Sequence, residues 1–322
     1  MKKLLSLTLA ILSALTLTFT ATACGQKDAN TINIGILQVA THSALDDARL
    51  GFMEVVNAWA EESGKTVNYD ENNANGDPNN EITLANAMIA KNPDLMLGIA
   101  TSSARALVNG TGDIPVLFTA VTAPTQENLI TANSTGTSDL NPVAQQIDLI
   151  KEINPNVDKI GFLYNSSENN SVLQCELAEE ECEKLEIELV KFTATASSEI
   201  GTVVDSIGNG VDAVYVPTDN LMAENITLIC SILHGKGIPV IGGESGVCDD
   251  GEAVATLGIS YFELGKQTGA MAVAILSGEK TASEITFEYY DKEPTFFINE
   301  KNAKEAGLSD NLISALKAKY NV

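Results

Sequence analysis

Histidine is almost missing from this 322-residue chain, with only His42 and His234 present. The five cysteines form no C-x-x-C pair, so a zinc site built on histidine or cysteine has almost no material, and no metal or cofactor is expected. Basic residues are scarce as well: 19 Lys+Arg stand against 43 Asp+Glu, a net charge of −24. A surface that acidic repels phosphate backbones, which argues against nucleic-acid binding and against electrostatic docking on anionic lipid. Aromatic residues make up 5%, with one tryptophan, Trp59, placed on an amphipathic helical stretch where core packing is its simplest role. What is present is an ordinary globular mixture, 44% hydrophobic with 24 Gly and 9 Pro, excluding collagen-like, disulfide-scaffold and disordered chains. A chain of this length is more naturally two domains than one.

Residues 1–23 form a separate object. Lys2 and Lys3 precede an uninterrupted apolar and hydroxyl run over 4–19, followed by Ala21-Thr22-Ala23-Cys24-Gly25. The run is short and wrongly flanked for a lasting transmembrane helix and reads as an export signal. Small residues directly before a cysteine resemble a bacterial lipobox, with Ala21 where leucine is commoner. That resemblance implies cleavage before Cys24, diacylglycerol on its thiol, and a lipidated tether over 24–30. Ordinary signal cleavage nearby would leave Cys24 a stray thiol. Of the remaining cysteines, Cys175 and Cys182 lie seven residues apart on one expected helix. That is about 10 Å, too far for a disulfide, and Cys175, Cys182, Cys230 and Cys248 read as small buried hydrophobes.

From Thr31 the chain alternates short β-branched runs with longer amphipathic ones. Strands are expected over 32–39, 66–70, 94–100 and 114–119, with helices over 46–63 and 78–91 and a short one opening near Ser102. The pattern then restarts: strands over 159–164, 187–192, 211–216 and 238–241, helices over 169–185, 197–207 and 219–234. Asn33-Ile34-Gly35-Ile36-Leu37 matches Lys159-Ile160-Gly161-Phe162-Leu163, and Asp113-Ile114-Pro115-Val116 matches Gly237-Ile238-Pro239-Val240. One plan is used twice. The alternation with continuous apolar strands predicts an α/β protein of two doubly wound parallel-sheet lobes. Two such lobes resemble a type I periplasmic-binding protein, in which the chain crosses a hinge three times. The crossings are expected near 137–141, 256–260 and 285–295. The first lobe then comprises 31–138 plus 259–285, including a returning helix over 261–276, and the second 139–258 plus 286–322.

In such sheets ligands collect beyond the carboxyl ends of the strands, where loops and helix N-termini converge. Each expected strand end carries polar residues. The first lobe offers Gln38 and His42, then Thr101, Ser102 and Ser103, then Thr119, Ala120 and Thr122. The second offers Asn165, Ser166, Glu168 and Asn169, then Thr218, Asp219 and Asn220, then Glu244. Any one of these could be an ordinary helix cap, but six clusters facing one crevice exceed what capping requires. Beyond the signal there are two arginines, Arg49 and Arg105, neither at a strand tip. An anionic group would therefore rest on hydroxyls and free N–H groups where helices begin, which suits one carboxylate better than a polyphosphate. Asp219 and Glu244 could bind an ammonium. Together these describe a zwitterionic amino acid.

The segments Gly35-Ile36-Leu37-Gln38, His42-Ser43-Ala44-Leu45-Asp46, Phe118-Thr119-Ala120-Val121-Thr122, Leu163-Tyr164-Asn165-Ser166-Ser167-Glu168, Val216-Pro217-Thr218-Asp219-Asn220 and Ala255-Thr256-Leu257-Gly258-Ile259 resemble one family over residues 31–307. It is the ABC-transporter substrate-binding lipoprotein family that includes tryptophan- and tyrosine-binding members. The resemblance implies an exported protein held by lipid at the outer face of the cytoplasmic membrane. It would deliver an aromatic amino acid to ABC permease subunits as a monomer, using His42, Ser102, Ser103, Thr119, Asn165, Ser166, Asp219 and Glu244. A sugar or nucleoside binder of the same fold and a sensing module are the alternatives. Catalysis finds little support: Gly243-Glu244-Ser245-Gly246-Val247 lacks the closing glycine of a nucleophile elbow, and both histidines precede Ser245.

Overall fold

The computed structural model describes residues 30–208, 210–249 and 252–322. The export signal, Cys24 and most of the tether lie outside the described residues. The first stretch runs β1 (Thr31–Gln38), α1 (Ser43–Ser63), β2 (Thr66–Asn73), α2 (Pro78–Ile89), β3 (Leu95–Ile99), α3 (Thr101–Gly110), β4 (Val116–Thr119) and β5 (Ser134–Ser138). The second runs α4 (Val143–Ile153), β6 (Lys159–Tyr164), α5 (Asn169–Leu185), β7 (Glu188–Thr193), α6 (Ser197–Ser206), β8 (Ala213–Val216), α7 (Asn220–Glu224), α8 (Ile226–Gly235), β9 (Val240–Gly242), α9 (Gly246–Asp249) and β10 (Ala255–Gly258). The chain then returns through α10 (Tyr261–Leu276) and β11 (Glu288–Tyr289), and ends with β12 (Thr295–Ile298), α11 (Glu300–Glu305) and α12 (Asp310–Tyr320).

Two six-stranded sheets result, ordered β11-β5-β4-β3-β1-β2 and β12-β10-β9-β8-β6-β7. All pairings are parallel except β10 with β12. This is the expected pair of doubly wound α/β lobes. Side-chain alternation explains why each sheet is covered twice. Ile32, Ile34 and Ile36 of β1 pack on the face under α1 and α10, while Leu37 joins the opposite core with Met88 and Leu107. The repeat does the same, with Ile160, Phe162 and Tyr164 on one face and Leu163 on the other. The two prolines of the repeat sit just before β4 and β9, where each keeps its carbonyl in the sheet, accepting from Met96 N and Val214 N at 2.9 Å.

Helices α1 and α10 cross closely because both are glycine-bearing at the contact. A Cβ on Gly51 would lie 2.0 Å from the Phe262 carbonyl oxygen, and one on Gly265 would lie 2.0 Å from that of Ala48. At the far end, Phe296 of β12 stacks on Tyr320 of α12 with ring centroids 4.6 Å apart, tying the C-terminus to the second lobe. Trp59 is half-buried against the first lobe's core. The four described cysteines are all buried free thiols.

Some expectations need correction. β5 reads Ser-Thr-Gly-Thr-Ser and is fully buried, yet it has no apolar side chain for a hydropathy pattern to register. Its hydroxyls are satisfied internally: Ser134 donates to the Leu129 carbonyl at 2.6 Å, and Thr137 meets both Thr119 and Thr268. Helix α4, ahead of β6, was not among the expected helices. The single helix expected over 219–234 is two, broken at Asn225. Glu288 and Tyr289 pair with Thr137 and Ser138 of β5, so residues 286–289 belong beside the first sheet and not with the second lobe.

Candidate ligand-binding cleft

The carboxyl ends of both sheets face one another, and three of their turns are built for the cleft. After β3, Ala100 takes φ 76° and α3 begins at Thr101 with no side-chain cap. After β4, Ala120 takes φ 55°. Left-handed alanines are costly, and two of them at adjacent strand exits mark turns held open by the surrounding fold. Helix α1 also starts without a side-chain cap, with His42 at its N-cap. The first N–H groups of α1 and α3 thus take no cap from the N-cap side chain, at the positive ends of two helix dipoles.

Deep in the cleft lies a cavity of about 10 Å³, the scale of one water-sized group. Asp139, Asp219 and Glu244 surround it together with Thr122, Thr218 and Tyr261, and no Lys or Arg lines it. Asp139 accepts from Thr122 Oγ1 at 3.0 Å and Tyr261 Oη at 2.9 Å. Asp219 caps α7 and accepts from Asn165 N at 2.6 Å, Ser171 Oγ at 2.7 Å and Met222 N at 2.9 Å. Burial and the Glu168 charge push its carboxyl upward, and the three donors oppose them. Glu244 is pushed up to about 8, first by burial and then by Asp139, while burial holds His42 below its ordinary value.

Outward, this hole adjoins a chamber of about 280 Å³, near the lower end of small-molecule sites at about 300–1,000 Å³. Its walls include Glu81, Glu168, Glu224 and Arg105, the amides of Asn165, Asn169, Asn170 and Asn220, and the apolar Val39, Ala40, Pro78 and Leu221. Glu168 is fixed by Asn165 Nδ2, Asn220 Nδ2 and the backbone N–H groups of Asn220 and Leu221. Arg105 pairs with Glu127 at 2.5 Å. Direct bonds join the lobes: His42 Nε2 to Asn220 Oδ1 at 3.3 Å, and Asn169 Nδ2 donating to Glu127 Oε1 at 2.8 Å. On the other side of His42 and Glu244 a third space of about 180 Å³ reaches Gly246 and Thr227. A groove of about 530 Å³ on the flank of α10 contains no strand tip and is lined by paired charges such as Lys266, Glu263 and Lys292.

Of the expected site residues, His42, Thr101, Ala120, Thr122, Thr218, Asp219, Asn220 and Glu244 converge on the deep hole. Ser102, Asn165, Glu168 and Asn169 line the outer chamber, with Thr101 and Asn220 shared. Four are displaced. Gln38 is buried, bonding the Ala40 carbonyl and Asp46. Ser103 is wholly buried and donates to Glu81 at 2.6 Å, and Thr119 is wholly buried against Thr137. Ser166 is exposed and lines neither space. Asp139, Tyr261, Glu81 and Arg105 were not anticipated. Arg105 was legible: it lies four residues after Thr101 on one helix, hence on the same face.

The profile of the family described as ABC transporter substrate binding protein matches residues 33–317. A tyrosine-binding protein of Clostridioides difficile is 32% identical over 99% of this chain and 96% of its own length. Among solved structures, the ABC domain from Streptococcus pneumoniae in complex with L-Trp aligns at TM-score 0.81 and 32% identity, covering 88% of this chain and 98% of that one. The ligand-free, open structure of a substrate-binding protein with adhesive properties from Clostridium difficile is 35% identical over 87% and 96% of the two chains, yet aligns at 0.65. That structure is described as open, whereas in this chain bonds such as His42 Nε2 to Asn220 Oδ1 join the two lobes. Sugar-bound neighbours at 15–16% identity share the fold alone. The chain belongs to the ABC transporter substrate-binding protein family.

Proposed function

We propose that this protein captures an aromatic amino acid by closing its two lobes and presents it to an ABC permease. The observation carrying this reading is the deep hole: three buried carboxyls around a space the size of one ammonium group, opening into a chamber sized for one side chain. The ammonium is assigned to Glu244 and Asp219, where a charge-assisted bond in a closed cleft is strong. The carboxylate is assigned to the backbone N–H groups at the N-terminus of α3, at Thr101 and Ser102, because the hydroxyls of Ser102 and Ser103 bond Glu81 and that of Thr119 bonds Thr137. Contacts to both lobes then favour the closed state. The names of the Clostridioides and Streptococcus relatives, one tyrosine-binding and one bound to L-Trp, support the same ligand class.

The remaining walls fit that assignment. Val39, Ala40, Pro78 and Leu221 offer an apolar surface to a ring, and the amides around them can bind its edge. The lipobox-like Ala21-Thr22-Ala23-Cys24 supports a protein anchored outside the cytoplasmic membrane through Cys24. Calorimetric titration with tyrosine, tryptophan, phenylalanine, nucleosides and sugars tests the ligand class, and a sugar or nucleoside as the tightest binder overturns it. Glu244→Gln should weaken an amino acid by about 2–5 kcal/mol, because its ammonium is then buried with one partner fewer. Replacing Cys24 with Ala should release the protein from the membrane fraction.

A further inference from the structure

We infer that the cleft takes aromatic amines as a second ligand class: a ring and an ammonium suffice for capture, and the ligand's carboxylate is dispensable. The charges around the cleft carry this inference. Asp139, Asp219 and Glu244 surround the deep hole, and Glu81, Glu168 and Glu224 line the chamber beside it. Against these six acids, Arg105 is the one Lys or Arg among the described residues lining either space. Its guanidinium meets Glu127 at 2.5 Å, so its charge is already matched within the first lobe. Burial holds His42 below its ordinary value, and its ring stays neutral near pH 7. The acids also bear on one another. Burial raises Asp219, Glu81, Glu224 and Glu244, and the Glu168 charge adds to it in every one. Among them Glu244, its side chain 2% exposed, keeps Oε1 without a hydrogen-bond partner among the described residues. An unmet acceptor in a ring of acids calls for a donor that brings positive charge.

The two ends of an amino acid are therefore served unequally. Its ammonium meets buried carboxyls, and a hydrogen bond between charged groups is worth about 10–150-fold in affinity. Its carboxylate has the backbone N–H groups at the start of α3, and a helix N-terminus favours an anion by about 2–30-fold. Even there an acid stands close. Glu81 Oε1 accepts from Ser102 at 3.0 Å and Ser103 at 2.6 Å, both on the first turn of α3. Repulsion between Glu81 and a ligand carboxylate offsets part of what the helix contributes. An amine without the carboxylate gives up that small gain and escapes the repulsion.

This inference rests on the aromatic amino acid reading and widens it from zwitterions to monocations. Calorimetric titration of the parent protein compares tyrosine with tyramine and hydroxyphenylpropionate, and tryptophan with tryptamine and indolepropionate. For the ring that binds, the amine should stay within about tenfold of the amino acid. The deaminated acid, which keeps the anion and loses the ammonium, should bind about 100-fold more weakly or not at all. In Glu244→Gln the amine and the amino acid should weaken by factors that agree within about threefold, since both use one ammonium site. The parent's analogue series stands without that variant. An amine more than about tenfold weaker than its amino acid overturns the inference and leaves the ligand class standing. So does a deaminated acid that binds as tightly as the amino acid. Amines that bind where amino acids do not would overturn the amino acid reading alone. Failure of amino acids and amines alike overturns both.

Discussion

His42 Nδ1 and Glu244 Oε1 face each other at 3.6 Å across the two lobes, both buried and neither with a hydrogen-bond partner among the described residues. One atom belongs to the turn after β1 and the other to the turn after β9, so the contact exists only when the lobes are closed. Burial works against charge on both, lowering His42 and raising Glu244 to about 8.

A pH dependence follows with a definite sign. Unfolded Glu244 loses its proton near 4.3, whereas in the closed protein it keeps it up to about 8. Between those values the folded state binds more protons, so this contribution is full below about 4.3 and fades as pH rises to about 8. The melting temperature of the ligand-free protein should fall from about pH 5 to about pH 9, and Glu244→Gln should flatten the slope. General charge repulsion acts on both proteins, so the difference between them is the measure. An ammonium docked on Glu244 would drive its proton off, and calorimetry near pH 7 in buffers of different ionisation enthalpy should show proton release. Identical heats in all buffers would count against the assigned ammonium site.

Closure should be sensitive to one missing side chain. A Cβ on Gly246, in the second lobe, would lie 2.4 Å from Ser43 Oγ and 3.2 Å from Ala44 N at the start of α1 in the first. Gly246→Val should wedge the lobes apart, weakening ligand affinity tenfold or more while leaving the ligand-free melting temperature nearly unchanged. Scattering at saturating ligand should give a larger radius than the parent. Parent-like affinity and radius would remove Gly246 from the closing surface.

The α1–α10 crossing predicts a stability effect without a binding effect. Gly265→Val forces a branched side chain against the Ala48 backbone, which cannot step aside as a flexible side chain could. Overpacking of this kind costs about 1–3 kcal/mol and more where backbone must move. Urea unfolding should show the loss, and ligand affinity of the folded fraction should stay within about twofold.

What could be read from residues alone was whatever hydropathy period and strand-end chemistry encode. The run over 32–39 and its echo over 159–164 announced two parallel sheets, and seven of the polar strand-end residues, with Ala120, meet at one hole. The misses share a cause: a hydroxyl's position in sequence does not reveal its partner. Ser103 and Thr119 stand at strand tips as expected but are consumed by Glu81 and Thr137. Asp139 lies on the expected crossing over 137–141 and Tyr261 opens α10, so no sheet period places either beside the cleft. Glu81 sits in the first turn of α2, among polar residues that give no sign of burial, while the apolar residues of that helix follow it.

Each sheet takes its last strand from the end of the chain: β11 completes the first and β12 the second. The first lobe also needs α10, whose residues Leu264 and Met271 join the core of Ala48 and Phe52. Almost the entire polypeptide must therefore be available before either core can seal. Contacts so distant in sequence make folding slow, because the entropy of closing long loops is lost before the contacts reward it. A chain emerging from the ribosome amino end first stays pliable throughout synthesis, a property useful to any protein that has to be threaded somewhere before it folds.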